Sequence, residues 1–145
     1  MRAVIQLVKE ANVKVDEGVI AEIKNGYLIL LAVHVDDTED KIKKIADKIS
    51  NLRIFSDSND KMNLSLKEVG GEILLVSQFT LYGDVSGGNR PSFITAARPE
   101  KANPYYEQVA DCLRSNGFLV KTGKFGAHML VSLVNNGPTT IIIDL

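Results

Sequence analysis

The chain has 145 residues, of which 45% are apolar and 24% charged, and its net charge is −1. That is an ordinary globular balance, and a chain of this length, read as one domain over residues 1–145, buries roughly two thirds of its unfolded surface. No apolar run approaches the ~18–20 residues that span a membrane. The start, Met1-Arg2-Ala3-Val4, lacks the pattern of a secretory leader. A lone cysteine, Cys112, excludes an intrachain disulfide and suits a reducing, cytosolic setting.

In chain order, Arg2–Val8, Val13–Val15, Val19–Ile23 and Tyr27–Val35 read as strands. Tight turns fall at Asp16-Glu17-Gly18 and Asn25-Gly26, the second a hairpin signal. From Thr38 to Ser50, Ile42, Ile45, Ala46 and Ile49 fall at i, i+3, i+4 and i+7 opposite lysines, which predicts an amphipathic helix. Leu52–Phe55 reads as a strand, Ser56–Lys61 as a loop, and Glu72–Thr80 as a buried strand after Gly70-Gly71. Leu81 to Arg98 is a Gly- and Pro-punctuated connection, long enough to suggest a functional loop. Asn103-Pro104 then predicts a helix start, with Tyr106, Val109, Ala110 and Leu113 inward, Cys112 packed beside them, and a stop at Gly117. Phe118–Thr122, Gly126–Val134 and Thr139–Leu145 close the chain as strands. The class is α+β, a mainly antiparallel sheet with two or three helices packed on it.

The inventory excludes much chemistry. One cysteine and two histidines, His34 and His128, are too few for a usual structural zinc site. No phosphate-binding glycine loop and no G-x-S-x-G elbow occurs, so neither metal nor cofactor is expected. Between Val85 and Ile143 six basic residues face three acidic ones, which suits either a solvated face or a few phosphate contacts.

Two constellations stand out. Ser77-Gln78-Phe79-Thr80 puts hydroxyl and amide groups where an apolar strand ends. Such groups either cap local turns or serve a site. No base for Ser77 or Thr80 is legible at a recognisable spacing, which limits any hydrolysis to activated bonds such as esters. Asn135-Asn136-Gly137-Pro138-Thr139-Thr140 lies between two strand runs and reads as a tight turn, or as a rigid steric gauge.

Taken together, these segments resemble the D-aminoacyl-tRNA deacylases. Ser77 to Leu81 with Asp84 matches one family signature, and Asn135 to Thr140 matches the Asn-x-Gly-Pro-x-Thr signature. The likeness extends from Met1-Arg2-Ala3-Val4 through Asn51–Phe55, Lys61–Ser65 and Arg90-Pro91-Ser92-Phe93. It implies hydrolysis of the ester joining a D-amino acid, or mischarged glycine, to the terminal adenosine of tRNA. It also implies a barrel-like fold and a homodimer with active sites at the subunit interface. There Gly137-Pro138, cis, would enter the partner's pocket and exclude L side chains. The catalytic segment would be Ser77, Gln78, Phe79 and Thr80, with backbone N–H groups near Phe79 and Thr80 as an oxyanion hole. Met129, Phe125 and Asn135 would join Gly137 and Pro138 in binding substrate, with Arg90, Lys121 and Lys124 toward tRNA phosphates.

The chain departs from the family pattern at His128, where Asp is usual, at Thr139, where Val is common, and in a less basic loop around Arg90. Two alternatives accompany the resemblance: an editor of L-alanyl-tRNA with a looser pocket, and a non-catalytic RNA-binding protein of the same fold.

Overall fold

The computed structural model describes residues 1–145. In chain order its elements are β1 (Arg2–Val15), β2 (Gly18–Ile23), β3 (Gly26–Ala32), α1 (Asp40–Asn51), β4 (Arg53–Ser56), β5 (Met62–Ser65), α2 (Leu66–Val69), β6 (Glu72–Ser77), a 3₁₀ turn (Phe79–Tyr82), α3 (Pro99–Ser115), β7 (Val120–Thr122) and β8 (Leu130–Asp144).

The main sheet is ordered β2-β1-β3-β6-β7, with β8 on the other side of β1. β1 pairs antiparallel with β2, β3 and β8, while β3–β6 and β6–β7 are parallel. β3 and β6 read as near-continuous apolar runs because both of their faces are covered. Tyr27, Ile29, Leu31, Ile73 and Leu75 point into the larger core under α1 and α3. Leu28, Leu74 and Val76 point the other way, against Val8, Val13 and Ile23 of the curling β1–β2 arm. This double coverage by one sheet gives the α+β, barrel-like architecture that the sequence suggested.

Several local expectations change. The first strand does not stop at Val8 but runs to Val15. Leu7 and Val8 are both buried, one in each core, and the β1–β8 register slips there. Such neighbours follow from the pleat, but past them the phase changes: Ala3, Ile5 and Leu7 face the larger core and Ala11 and Val13 the smaller, because Lys9 is left unpaired between Val8 and Glu10, and this bulge carries the strand on without ending it. Nor do the strands flanking Asn25-Gly26 form a hairpin, because β1 lies between them, pairing Ala11 with Ile23 and Val8 with Gly26. Gly26 answers a different demand: a Cβ there would sit 1.9 Å from the Glu72 carbonyl oxygen, so the close approach of β6 requires glycine.

The second long helix begins at Pro99 after Arg98, a turn earlier than Asn103-Pro104 suggested. Pro99 takes the first helical position, where its missing N–H costs nothing. Pro104 lies inside the helix on its exposed side, where water can reach the carbonyl its ring leaves free. The buried strand ends at Ser77 rather than Thr80, and the 3₁₀ turn takes over at Phe79. The last strand starts at Leu130 rather than Gly126 and does not turn at Asn135–Thr140. It runs through as one element, with Asn135 opposite Val8 and Thr140 opposite Gln6, so four residues of β8 bulge out where β1 has only Leu7. The β4–β5 hairpin is followed by the single turn of α2, closed by a capping box in which Ser65 Oγ accepts from the Glu68 N–H and Glu68 Oε2 accepts from the Ser65 N–H.

Candidate functional site

β6 sets the site because it is a rigid strand held from both faces and it ends at the surface. The Gln78 N–H donates to the Leu31 carbonyl at 2.8 Å, extending the parallel pairing one residue past Ser77. The chain then tightens into the 3₁₀ turn. Phe79 and Thr80 open that turn, ahead of its first donor, the Leu81 N–H that bonds the Gln78 carbonyl at 3.4 Å, so their own N–H groups have no partner within it. At the other end, Arg2 fixes the turn by donating to the Leu81 carbonyl at 2.9 Å, with its guanidinium 4.8 Å from the centre of the Tyr82 ring.

On one side of the turn lies an apolar cavity of about 620 Å³. Leu30, Val76 and Val131 form its base, and Ser77, Gln78 and Phe79 its polar-to-aromatic lip. One wall is the segment Phe93–Pro99, the other Phe125–Met129. Phe93 meets Phe79 edge to face, with ring centres 5.1 Å apart. Phe125 is backed by Tyr106 at 6.1 Å, and the Tyr106 hydroxyl donates to the Leu75 carbonyl at 2.8 Å, tying this wall to β6. Burial pushes the Tyr106 phenol up, so it remains a neutral donor. Met129 lies so close to Gly123 that a Cβ there would stand 2.7 Å from its sulfur.

Of the residues singled out from sequence, Ser77, Gln78, Phe79, Phe125 and Met129 meet at this cavity. Thr80 is exposed and does not line it, although its backbone belongs to the same turn. His128 does line it and is itself exposed. The other wall, with Ala96, Ala97, Arg98 and Pro99, was missed. Only the Arg90–Phe93 block gave any warning of it, and neither wall supplies a carboxylate.

Gly137 and Pro138 lie elsewhere, exposed on the β8 bulge and joined by a cis bond. Gly137 adopts φ +120°, and a Cβ would fall 2.5 Å from Thr139 Oγ1, so glycine is required. Asn135 was expected to touch substrate. Its amide instead donates to the carbonyls of Leu7 at 2.9 Å and Thr139 at 3.1 Å. Arg90 and Lys124 are exposed, while Lys121 donates to the Glu22 carbonyl at 2.7 Å. Asp84 of the first signature shapes the following loop. It exchanges two 2.8 Å backbone hydrogen bonds with Ser92, and its carboxylate accepts the Ser86 N–H, which holds it below the usual carboxylate range.

On the other side of the turn is a polar cleft of about 610 Å³ around Arg2, His34, Asp37, Tyr82 and Asp144. Its charges are already engaged. Asp37, only 2% exposed, accepts from the Met1 α-ammonium at 2.7 Å, the His34 N–H at 2.7 Å and Lys41 Nζ at 3.0 Å.

Comparison with known proteins converges on one family. The model for "D-Tyr-tRNA(Tyr) deacylase" matches residues 4–144. The chain is 54% identical to D-aminoacyl-tRNA deacylase of Thermotoga petrophila, over 99% of this chain and 97% of that protein. It is also 54% identical to the protein of that name from Clostridioides difficile, with the same shares covered. Among solved structures, a c-Myc DNA unwinding element binding protein superposes with a TM-score of 0.94 at 39% identity, covering 100% of this chain and 99% of that one. A probable eukaryotic D-amino acid tRNA deacylase superposes with a TM-score of 0.85 at 18% identity, covering 99% and 98%, a likeness of fold.

Proposed function

The chain belongs to the D-Tyr-tRNA(Tyr) deacylase family, and on that premise we propose that it hydrolyses the ester between a D-amino acid, or mischarged glycine, and the 3′-terminal adenosine of tRNA, sparing L-aminoacyl esters. The observation that carries this reading is the convergence of Ser77, Gln78 and Phe79 with Phe125 and Met129 on one apolar cavity without a lining carboxylate. Such a cavity suits a planar base and an activated ester better than chemistry that needs a strong side-chain base.

In the proposed reaction the N–H groups of Phe79 and Thr80 hold the acyl oxygen as charge develops on it. Ser77 and Gln78 orient the ester, and Phe79, Phe125 and Met129 enclose the adenine and the acyl group. Water, positioned by the substrate's own 2′-hydroxyl, attacks the acyl carbon. The bond to the 3′-oxygen breaks, and that oxygen takes up the proton, leaving free amino acid and tRNA. Arg90 and Lys124 sit free to meet acceptor-stem phosphates. Lys121 meets them less readily, given its bond to Glu22.

The enzyme works as a cytosolic homodimer in this reading. Leu130, Val134 and Ile142 project from the outer face of β8 at 56%, 47% and 66% exposure. This strand face is of the kind a second copy covers. Gly137 and Pro138 share that strand and do not line the cavity of their own chain, so covering β8 would carry them to the partner's cavity. There Gly137-Pro138 would exclude an L side chain by steric conflict, with a D side chain directed away.

The deciding experiment compares hydrolysis of D-tyrosyl-, L-tyrosyl- and glycyl-tRNA by the purified protein. Turnover of the first and third with the second spared is expected. Equal loss of the D and L esters would sink the steric gauge, and tRNA binding without hydrolysis would overturn the enzymatic reading.

A further inference from the structure

We infer that Asn135, supported by Gln6 and Thr140, is a positioning residue that sets the shape of the Gly137-Pro138 bulge and through it the enzyme's D-over-L preference. This rests on the function proposed above. Four residues, Asn136 to Thr139, leave the ladder where β1 has only Leu7. An exposed excursion of that length loses little by fluctuating unless its neck is tied, and a steric gauge that fluctuates does not discriminate.

The tie is the Asn135 side chain. One amide hydrogen goes to the Leu7 carbonyl on β1 at 2.9 Å, and the other to the Thr139 carbonyl at the far end of the excursion, at 3.1 Å. Asn135 Oδ1 accepts from Gln6 Nε2 at 3.2 Å. The Thr140 hydroxyl, 3.4 Å from that same oxygen and 3.2 Å from the Pro138 carbonyl, has one proton to share between them. Asn135 thus closes the loop onto itself and onto the neighbouring strand. With both amide hydrogens committed to carbonyls of its own chain, it has no donor left for substrate, so its influence on the reaction passes through the bulge.

The test measures kcat and KM for D-tyrosyl- and L-tyrosyl-tRNA in Asn135→Asp, Gln6→Met and Thr140→Val, alongside thermal stability and amide exchange of the 136–140 segment. Asn135→Asp keeps the side chain's size and removes both donors. It is expected to lower the D:L ratio of kcat/KM by about tenfold, the effect of losing the net worth of one or two hydrogen bonds. The fall should come through gained L-ester turnover, with kcat for the D ester within about threefold and exchange in 136–140 accelerated. Gln6→Met and Thr140→Val should move the same quantities in the same direction by less. Folded variants with an unchanged D:L ratio and unchanged exchange overturn the inference. Should Asn135→Asp fail to fold, the two milder variants decide by the same two readouts. Absence of D-ester hydrolysis in the unmodified protein would sink the deacylase reading instead, and the exchange measurement would still judge the anchor.

Discussion

The 3₁₀ turn Phe79–Tyr82 divides two clefts of nearly equal volume and opposite chemistry. On the Tyr82 side, charges crowd together and titrations are displaced. Burial and nearby carboxylates push the Tyr82 phenol up to about 12. Burial alone would raise Asp37, but the Met1 ammonium, the His34 N–H and Lys41 together bring it below its ordinary range. On the Phe79 side no carboxylate lines the cavity. Displaced titrations in a cleft are a recognised pointer to an active site, yet here they gather around the buried Met1–Asp37 pair. The cavity proposed for the chemistry has largely apolar walls, with Arg98 and His128 its only charged or titratable lining side chains. When the scissile bond is already activated, a site can dispense with the acids that usually betray one.

The strongest way to break this contrast is Asp37→Ala. Removing one partner from a fully buried pair costs about 3–5 kcal/mol, and the side chains of this pair are 0% exposed. Urea unfolding should show that loss, while turnover per folded molecule stays close to that of the unmodified protein. A matching collapse of turnover in the folded fraction would place the polar cleft in the reaction. The same carboxylate gives the pH dependence a sign. Its folded value lies below the ordinary 3.8, so its stabilisation is complete above that value and is lost as pH falls through the folded value. Asp37→Asn should flatten the acid limb of a stability–pH curve.

Next in size is Thr80→Pro, which deletes one proposed oxyanion donor; proline here also disfavours the helical backbone of Phe79 before it, so the loss is read on protein whose melting temperature matches that of the unmodified chain. A loss of about 10²–10³ in kcat is expected, as for other oxyanion-hole donors. Thr80→Ala, which keeps the N–H, should stay within about threefold on the same scale. Inactivity of the alanine variant with binding intact would show that the hydroxyl is chemical.

Gly137→Ala probes the gauge itself. Its Cβ would fall 2.5 Å from Thr139 Oγ1 at φ +120°, a strain of about 1–3 kcal/mol. The D:L ratio from initial rates should drop about tenfold, and an unchanged ratio would remove the bulge from selection. The smallest effect is reserved for His128→Ala. This exposed residue at the cavity's edge should alter kcat/KM by no more than about threefold, short of the contribution of a general base.

Much of this was visible in the chain. The apolar runs of β3 and β6, the i, i+3, i+4 stripe of α1 and the polar end of β6 follow from periodicity alone. The start of α3 is ambiguous in the sequence because two prolines, Pro99 and Pro104, compete for it. Its buried stripe reaches back to Ala102, one turn before Tyr106, and that extension favours Pro99. The capping box is written in the sequence as Ser65-x-x-Glu68. The passage of β8 through Gly137-Pro138 was not, since glycine followed by proline signals a turn locally and only pairing with β1 on both sides shows a bulge. For the same reason the wall Phe93–Arg98 carries no signature in the sequence: it lies in a loop without periodicity and reaches the cavity only by tertiary contact.

One contact far from the cavity bears on all of this. Gly26 admits the Glu72 carbonyl against its backbone, and the Glu72 N–H donates to the Asn25 carbonyl at 3.0 Å. From that point β6 advances by about 3.3 Å per residue, so this pin is the zero mark of a ruler whose far end is Ser77. Side chains alternate along it, and a slip of one residue would exchange the faces of Val76, at the cavity's base, and Ser77, at its lip. The placement of the cavity's polar lip is therefore measured out from a glycine at the opposite end of the strand.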